Sequence, residues 1–171
     1  WGDFVFNFVF KEGDDLGWVE YFVGKSEHLR RLRIRRSRND GDEAREQQII
    51  HALSDGIARN QSIQHVSVRY LSYDGFATIA RALDNFVKKL ESLDCSGNFT
   101  ARNAFNGCAT VGALLESGVF SKMKKLSLSN IAIDDAGVAA VAHGLRSIGS
   151  SLKELNLPRN SIGSDGLSAL V

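Results

Sequence analysis

The sequence predicts an α/β solenoid, in which parallel strands line a concave face and helices cover the convex one. Three observations point there. A short pattern of the form L-x-x-L-x-L, with Ile, Val, Met or Cys standing in for Leu, recurs five times. Its first positions are Leu29, Ile63, Leu90, Met123 and Leu152, spaced 34, 27, 33 and 29 residues apart. Between copies the apolar residues switch to helical spacing, as at Ile49, Ile50, Leu53 and Ile57. A strand-plus-helix unit of roughly 28 residues, with insertions in two copies, accounts for these distances. One such unit cannot bury its own apolar face, but stacked units share a continuous core.

Each element follows from a local pattern. Residues 4–10 alternate Phe with Val or Asn, which predicts a strand with Phe4, Phe6, Phe8 and Phe10 on one face. Asp14 and Asp15 signal a helix start, and Leu16, Trp18, Val19, Tyr21, Phe22 and Val23 fill an apolar helix. Residues 4–24 therefore read as a degenerate leading repeat. Leu29-Arg-Arg-Leu32-Arg-Ile34 is the next strand, followed by a polar loop from Ser37 to Asp42 containing Gly41, and a helix over 43–59. Ile63-Gln-His-Val66-Ser-Val68 gives a strand near 65–69. A helix over about 74–88 follows, with Phe76, Ile79, Leu83 and Val87 on one side. Leu90-Glu-Ser-Leu93-Asp-Cys95 is a strand, but Gly107 and Gly112 predict a short or broken helix within 100–117. Met123-Lys-Lys-Leu126-Ser-Leu128 precedes a helix near 135–148, with Ala140, Val141, Gly144, Leu145 and Ile148 on one stripe. The last copy runs Leu152-Lys-Glu-Leu155-Asn-Leu157-Pro-Arg-Asn160-Ser-Ile162, and a final helix begins near Asp165.

In that last copy the pattern L-x-x-L-x-L-x-x-N-x-I resembles the leucine-rich repeat family. Asn160 and Asn98 stand where the family places its ladder asparagine, whose amide can satisfy backbone groups of the turn leaving the strand. The full helix per repeat resembles the ribonuclease-inhibitor-like, intracellular type, and the resemblance covers nearly the whole chain. It implies a non-enzymatic scaffold that presents its concave sheet to another protein, an analogy drawn from fold. Similar repeats also occur in regulators of enzymes, such as small-GTPase activators, and in the substrate-recognition part of ubiquitin ligases. The first would need an orienting residue on a rim loop, the second an adaptor-binding segment. Residues 1–171 are read as one leucine-rich-repeat domain and as a piece of a longer array. The chain begins at Trp1, its only methionine is Met123, and it stops at Val171 inside a helix just begun. Such an open end predicts a monomer that frays or weakly self-associates there.

Composition narrows the function further. Lys and Arg number 21 against 20 Asp and Glu, a net charge of +1, so no global basic excess favours nucleic acid. The apolar run from Phe4 to Phe10 is too short to span a bilayer. Two cysteines cannot form the paired end caps of many secreted repeat proteins, which points to reduced thiols and a cytoplasmic location.

Strand alternation assigns the side chains of the concave face. They are Val5, Asn7 and Val9, then Arg31, Arg33 and Arg35, then His65, Ser67 and Arg69. Ser92, Asp94 and Ser96 come next, then Lys125, Ser127 and Ser129, and last Glu154, Asn156 and Pro158. Of these, Arg31, Arg33, Arg35, His65, Arg69, Asp94, Lys125, Glu154 and Asn156 are the candidate partner-binding residues. The run from His28 to Arg38 holds six arginines. It reads either as a basic patch for carboxylates on an acidic partner, or as a solvated face whose arginines pair with acidic residues of neighbouring repeats, Asp14, Asp15 and Glu20 among them. Arg31, Arg33, Arg35 and Arg69 taken together favour the patch.

Other chemistry finds less support. His28, His51, His65 and His143 lie in different repeats, and no C-x-x-C or H-x-x-x-H spacing supports a metal. No cofactor motif is present, neither a phosphate loop nor a nucleophile elbow. Cys95 falls at an inward strand position, and Cys108 is read as a core thiol. Asp14-Asp15, Asp40-Gly-Asp42, Asp134-Asp135 and Asp165-Gly166 are read as helix caps rather than calcium loops. Asn60 and Asn98 head glycosylation sequons, but a ladder position would bury Asn98.

Overall fold

A computed structural model describes residues 4–9, 16–36, 42–87, 89–100, 103–117, 121–148 and 151–171. Strands and helices alternate throughout. The first half holds β1 (Phe4–Val9), α1 (Leu16–Lys25), β2 (Leu29–Arg35), α2 (Glu43–Arg59), β3 (His65–Arg69) and α3 (Tyr73–Phe86). The second half holds β4 (Ser92–Asp94), α4 (Ala104–Glu116), β5 (Lys125–Ser127), α5 (Asp135–Ile148), β6 (Glu154–Asn156) and α6 (Ser164–Ala169). The six strands form one sheet in chain order, and every neighbouring pair is parallel. Among the described residues β1 and β6 pair on one side only, so the sheet is open. Each helix packs on the next, so the helices form a second layer over one face.

The period-2 pattern sets the register. Phe6, Leu32, Val66, Leu93, Leu126 and Leu155 are partners in successive strands and form one row under the helices. Phe8, Ile34 and Val68 form the next row. All of these are buried except Phe6 and Leu155, which are partly covered. Helices α2 and α5 have the predicted bounds, and Ile49, Ile50, Leu53 and Ile57 are fully buried. The predicted caps Asp42 and Asp134 accept hydrogen bonds from the backbone N–H groups of Arg45 and Gly137, both at 2.9 Å. Asp165 differs: it lies in the first turn of α6, whose cap residue is Gly163. Phe10, Asp14, Asp15, Gly41 and Lys88 lie outside the described residues.

Helix α4 corrects the sequence reading. It runs unbroken over 13 residues despite Gly107 and Gly112. Both glycines are packing positions rather than breaks. A Cβ on Gly107 would lie 2.5 Å from the ring of Phe99, which meets Phe76 edge-on at 4.9 Å. A Cβ on Gly112 would lie 2.5 Å from the carbonyl oxygen of Ala140, and one on Gly144 would strike the Gly112 carbonyl. Helices α4 and α5 thus approach backbone to backbone. The buried contact offsets the roughly 1 kcal/mol that each helical glycine costs.

Two asparagines stitch the turns that leave the strands. Asn98 Nδ2 donates to the carbonyls of Cys95 (2.7 Å) in its own repeat and Val68 (2.5 Å) in the one before, while its Oδ1 accepts from the Leu71 N–H (3.1 Å). Asn160 does the same, donating to Leu157 and Leu128 and accepting from Ile131 and Ile133. Leu71 and Ile131 hold the equivalent position in two other repeats, and the residue before each of the four turns left-handed: Tyr70, Gly97, Asn130 and Arg159 all have φ between 54° and 74°.

The register carries a stability prediction. Leu126→Ala should cost about 2–5 kcal/mol, as deletion of a buried leucine does. Leu155→Ala should cost less, because Leu155 is only partly covered. Asn156→Ala, on the exposed side, should stay within about 0.5 kcal/mol. Equal shifts of the thermal midpoint for Leu126→Ala and Asn156→Ala would show that the two strand faces are assigned wrongly.

Candidate functional site

The sheet face turned away from the helices is built from the alternate residues of each strand, in two full cross-strand rows. Val5, Arg31, His65, Ser92, Lys125 and Glu154 are register partners in one row. Asn7, Arg33, Ser67, Asp94, Ser127 and Asn156 form the second, and Val9, Arg35 and Arg69 begin a third. A groove of about 620 Å³ lies over this face. Of the nine predicted residues it brings together Arg31, Arg33, Arg35, His65, Arg69, Asp94 and Lys125. Glu154 and Asn156 lie on the same face at β6, outside the groove.

Much of the charge here is already matched. Arg69 donates to Asp94 Oδ2 through Nε (3.0 Å) and Nη2 (2.5 Å), and Ser67 Oγ donates to the same oxygen. The Ser96 N–H donates to Asp94 Oδ1 at 3.0 Å. Burial alone raises the Asp94 carboxyl, but the hydrogen bonds from Ser96 and Arg69 outweigh it and hold the group below the usual carboxylate range. Lys125 pairs with Glu154 at 2.6 Å. The Lys125 hydrogen bond, with a second from Asn156, holds the Glu154 carboxyl low.

The arginine run divides. Arg36 leaves the face to pair with Glu46, which is 1% exposed and also accepts from the Ser72 N–H at 2.7 Å. Arg30 turns to the Ser62 carbonyl at 3.1 Å. Glu20, one of the acids expected to pair with the run, binds Arg59 instead. Arg33 and Arg35 remain exposed. Their partners are neutral: Asn7 Oδ1 accepts a long 3.5 Å bond from Arg33, and the Arg35 guanidinium lies 5.4 Å from the Tyr70 ring centre. Among the described residues neither has a carboxylate partner.

Two contributors escaped the sequence reading. Tyr70 had no signal, since it lies beyond the strand pattern. Glu46 had one: it occupies a core position of the α2 stripe, three residues before Ile49, and a charge there requires a buried partner.

Cys95 and Cys108 are free and buried. Burial pushes the Cys95 thiol well above its ordinary value and the Cys108 thiol up to about 12, so neither is poised as a nucleophile. Among the described residues no group of three or more His, Cys, Asp or Glu side chains could hold a metal ion, and no helix is long and apolar enough to cross a membrane. Both sequon asparagines are buried. Asn60 donates to the Val23 and Ser26 carbonyls and accepts from the Ser62 and Ile63 N–H groups, which leaves its amide as closed to modification as that of Asn98.

Residues 150–171, which contain β6 and α6, match the family model described as Leucine Rich repeat. No curated protein matches the chain. The match and the parallel strand–helix stack together support a leucine-rich repeat protein, and such repeats generally mediate protein–protein interaction.

Asp94 gives a pH prediction. Its carboxyl is lower in the folded chain than unfolded, so its stabilisation is complete above an unfolded value of about 3.9 and fades as pH falls through the folded one. Asp94→Asn should therefore be less stable than wild type at pH 6, and the gap should close toward pH 2. A gap independent of pH in chemical denaturation would show that the ionised carboxylate contributes nothing.

Proposed function

We propose that this chain is a non-enzymatic scaffold that binds an acidic surface of another protein on its open sheet face. One observation carries the reading: Arg33 and Arg35 are exposed cations over a groove in which Arg69 is matched by Asp94, and Lys125 by Glu154 just outside it. A planar guanidinium offers paired N–H groups to a carboxylate, and the matched pairs need not be broken for a partner to dock. Arg31 and His65 add positive or titratable groups beside them. The near-zero net charge favours a local acidic contact over a nucleic acid backbone, which needs a long basic track. Helices of 10 to 17 residues between successive strands from β1 to β6 support the ribonuclease-inhibitor-like subtype. Two buried free thiols suit a reducing cytoplasm.

A polyglutamate peptide is the simplest probe. It should bind the wild-type chain at low salt and weaken as salt rises. Reversing Arg31, Arg33 and Arg35 to Glu should abolish binding, whereas Arg146→Glu on α5 should not. Unchanged binding by the triple variant would reduce the arginines to a solvated face. Duplex DNA bound with a steeper salt dependence than polyglutamate would move the assignment to nucleic acid.

A further inference from the structure

Among the described residues Arg33 and Arg35, on a single strand of the open face, have no carboxylate partner, and that fixes how a partner can lie. The two residues are two positions apart on β2 and point the same way. Same-face residues of a strand are about 6.6 Å apart, and an extended chain laid along β2 repeats its own same-side residues at that distance. A chain laid across the strands would meet something different. From Arg33 it would pass over Ser67 and reach Asp94, whose negative charge repels a second acid. From Arg35 it would reach Arg69, already matched by Asp94. The charge pattern therefore selects a segment running with the strand.

Arg35 is set in advance for that contact. Its guanidinium carbon lies over the ring of Tyr70, 5.4 Å from the centroid, a cation–π contact that uses the face of the guanidinium rather than the N–H groups that fork onto a carboxylate. Tyr70 is held left-handed at φ 63°, uncommon for a bulky residue. Its ring packs on Gly97, where a Cβ would come within 2.7 Å of Cε1. Arg35, Tyr70 and Gly97 belong to three successive repeats, so the stacking of repeats orients the cation.

We propose that this face recognises an extended protein segment with two carboxylates two residues apart, Asp/Glu-x-Asp/Glu, lying along β2 with one carboxylate on Arg33 and one on Arg35. Tyr70 is the positioning residue for Arg35. The proposal rests on the acidic-partner reading and adds the spacing and direction of the acids.

Two short peptides of identical composition test it, each with two Asp among Ser, Thr and Gly. In one the Asp residues are two apart and share a side when extended. In the other they are adjacent and point to opposite sides. The first should bind wild type roughly fivefold or more tightly than the second, the effect of one lost charge-assisted contact. The ratio should fall toward one in Arg35→Ala, an exposed substitution that spares the core, and in Tyr70→Asn, which tolerates the left-handed backbone. Tyr70→Phe keeps the ring and should keep the ratio. Equal affinity of the two peptides for wild type overturns the spacing while leaving the acidic-partner reading intact. Failure of both peptides while polyglutamate binds overturns it too, and loss of all three removes both readings. A ratio unchanged in Tyr70→Asn overturns the role given to Tyr70.

Discussion

The turns leaving the strands hold the structure in register, and two asparagines, Asn98 buried and Asn160 partly covered, satisfy backbone groups there. A chain that bends sharply from strand to helix exposes backbone N–H and C=O groups that neither element can satisfy, and burying them unpaired is expensive. Asn98 and Asn160 supply both donors and an acceptor from one side chain, and each reaches back into the preceding repeat. The repeats preceding each of them carry Leu71 and Ile131 at the same position, buried as hydrophobes. One amide therefore serves two turns, and consecutive repeats are joined in pairs. Long and short spacings alternate along the chain in the same way, at 34, 27, 33 and 29 residues.

The open face inherits its charge pattern from this register. Arg69 meets Asp94, and Lys125 meets Glu154, only because β3 to β6 sit side by side without slippage. A one-residue slip in any strand would turn its outward set into the core. It would also change which cation faces which acid. The exposed guanidiniums of Arg33 and Arg35 are thus a property of the assembled sheet rather than of β2 alone. The Arg35–Tyr70–Gly97 stack depends on it most, since its members come from three repeats.

What was legible in the sequence was what is local. Strand alternation assigned inward and outward residues through the five registered copies, and helical spacing placed α2 and α5 at their observed bounds. The capping roles of Asp42 and Asp134 were legible for the same reason. What depends on contacts between repeats was not. Gly107 and Gly112 look like breaks to propensity, yet they admit Phe99 and the backbone of α5. Pairing with an acid of the next repeat was legible for Arg69, which meets Asp94, but not that Glu20 faces Arg59 on the helical side or that Arg36 turns inward to Glu46. Alternation named the face of Glu154 and Asn156 correctly, but it cannot say how far along the sheet the groove extends.

Native-state hydrogen exchange on an Asn98→Ala variant tests most directly whether the asparagine joins two repeats. Removing the amide strips a partner from the Val68 carbonyl and the Leu71 N–H, each loss worth about 1–3 kcal/mol when buried and unpaired, and leaves the Cys95 carbonyl only the long 3.4 Å bond from the residue 98 N–H. Protection should fall by roughly tenfold or more in β3 and β4 together, with the Leu71 amide among the most affected. Loss of protection confined to residues 95–98, with β3 and Leu71 unchanged, would contradict the pairing of repeats on which the open face is built.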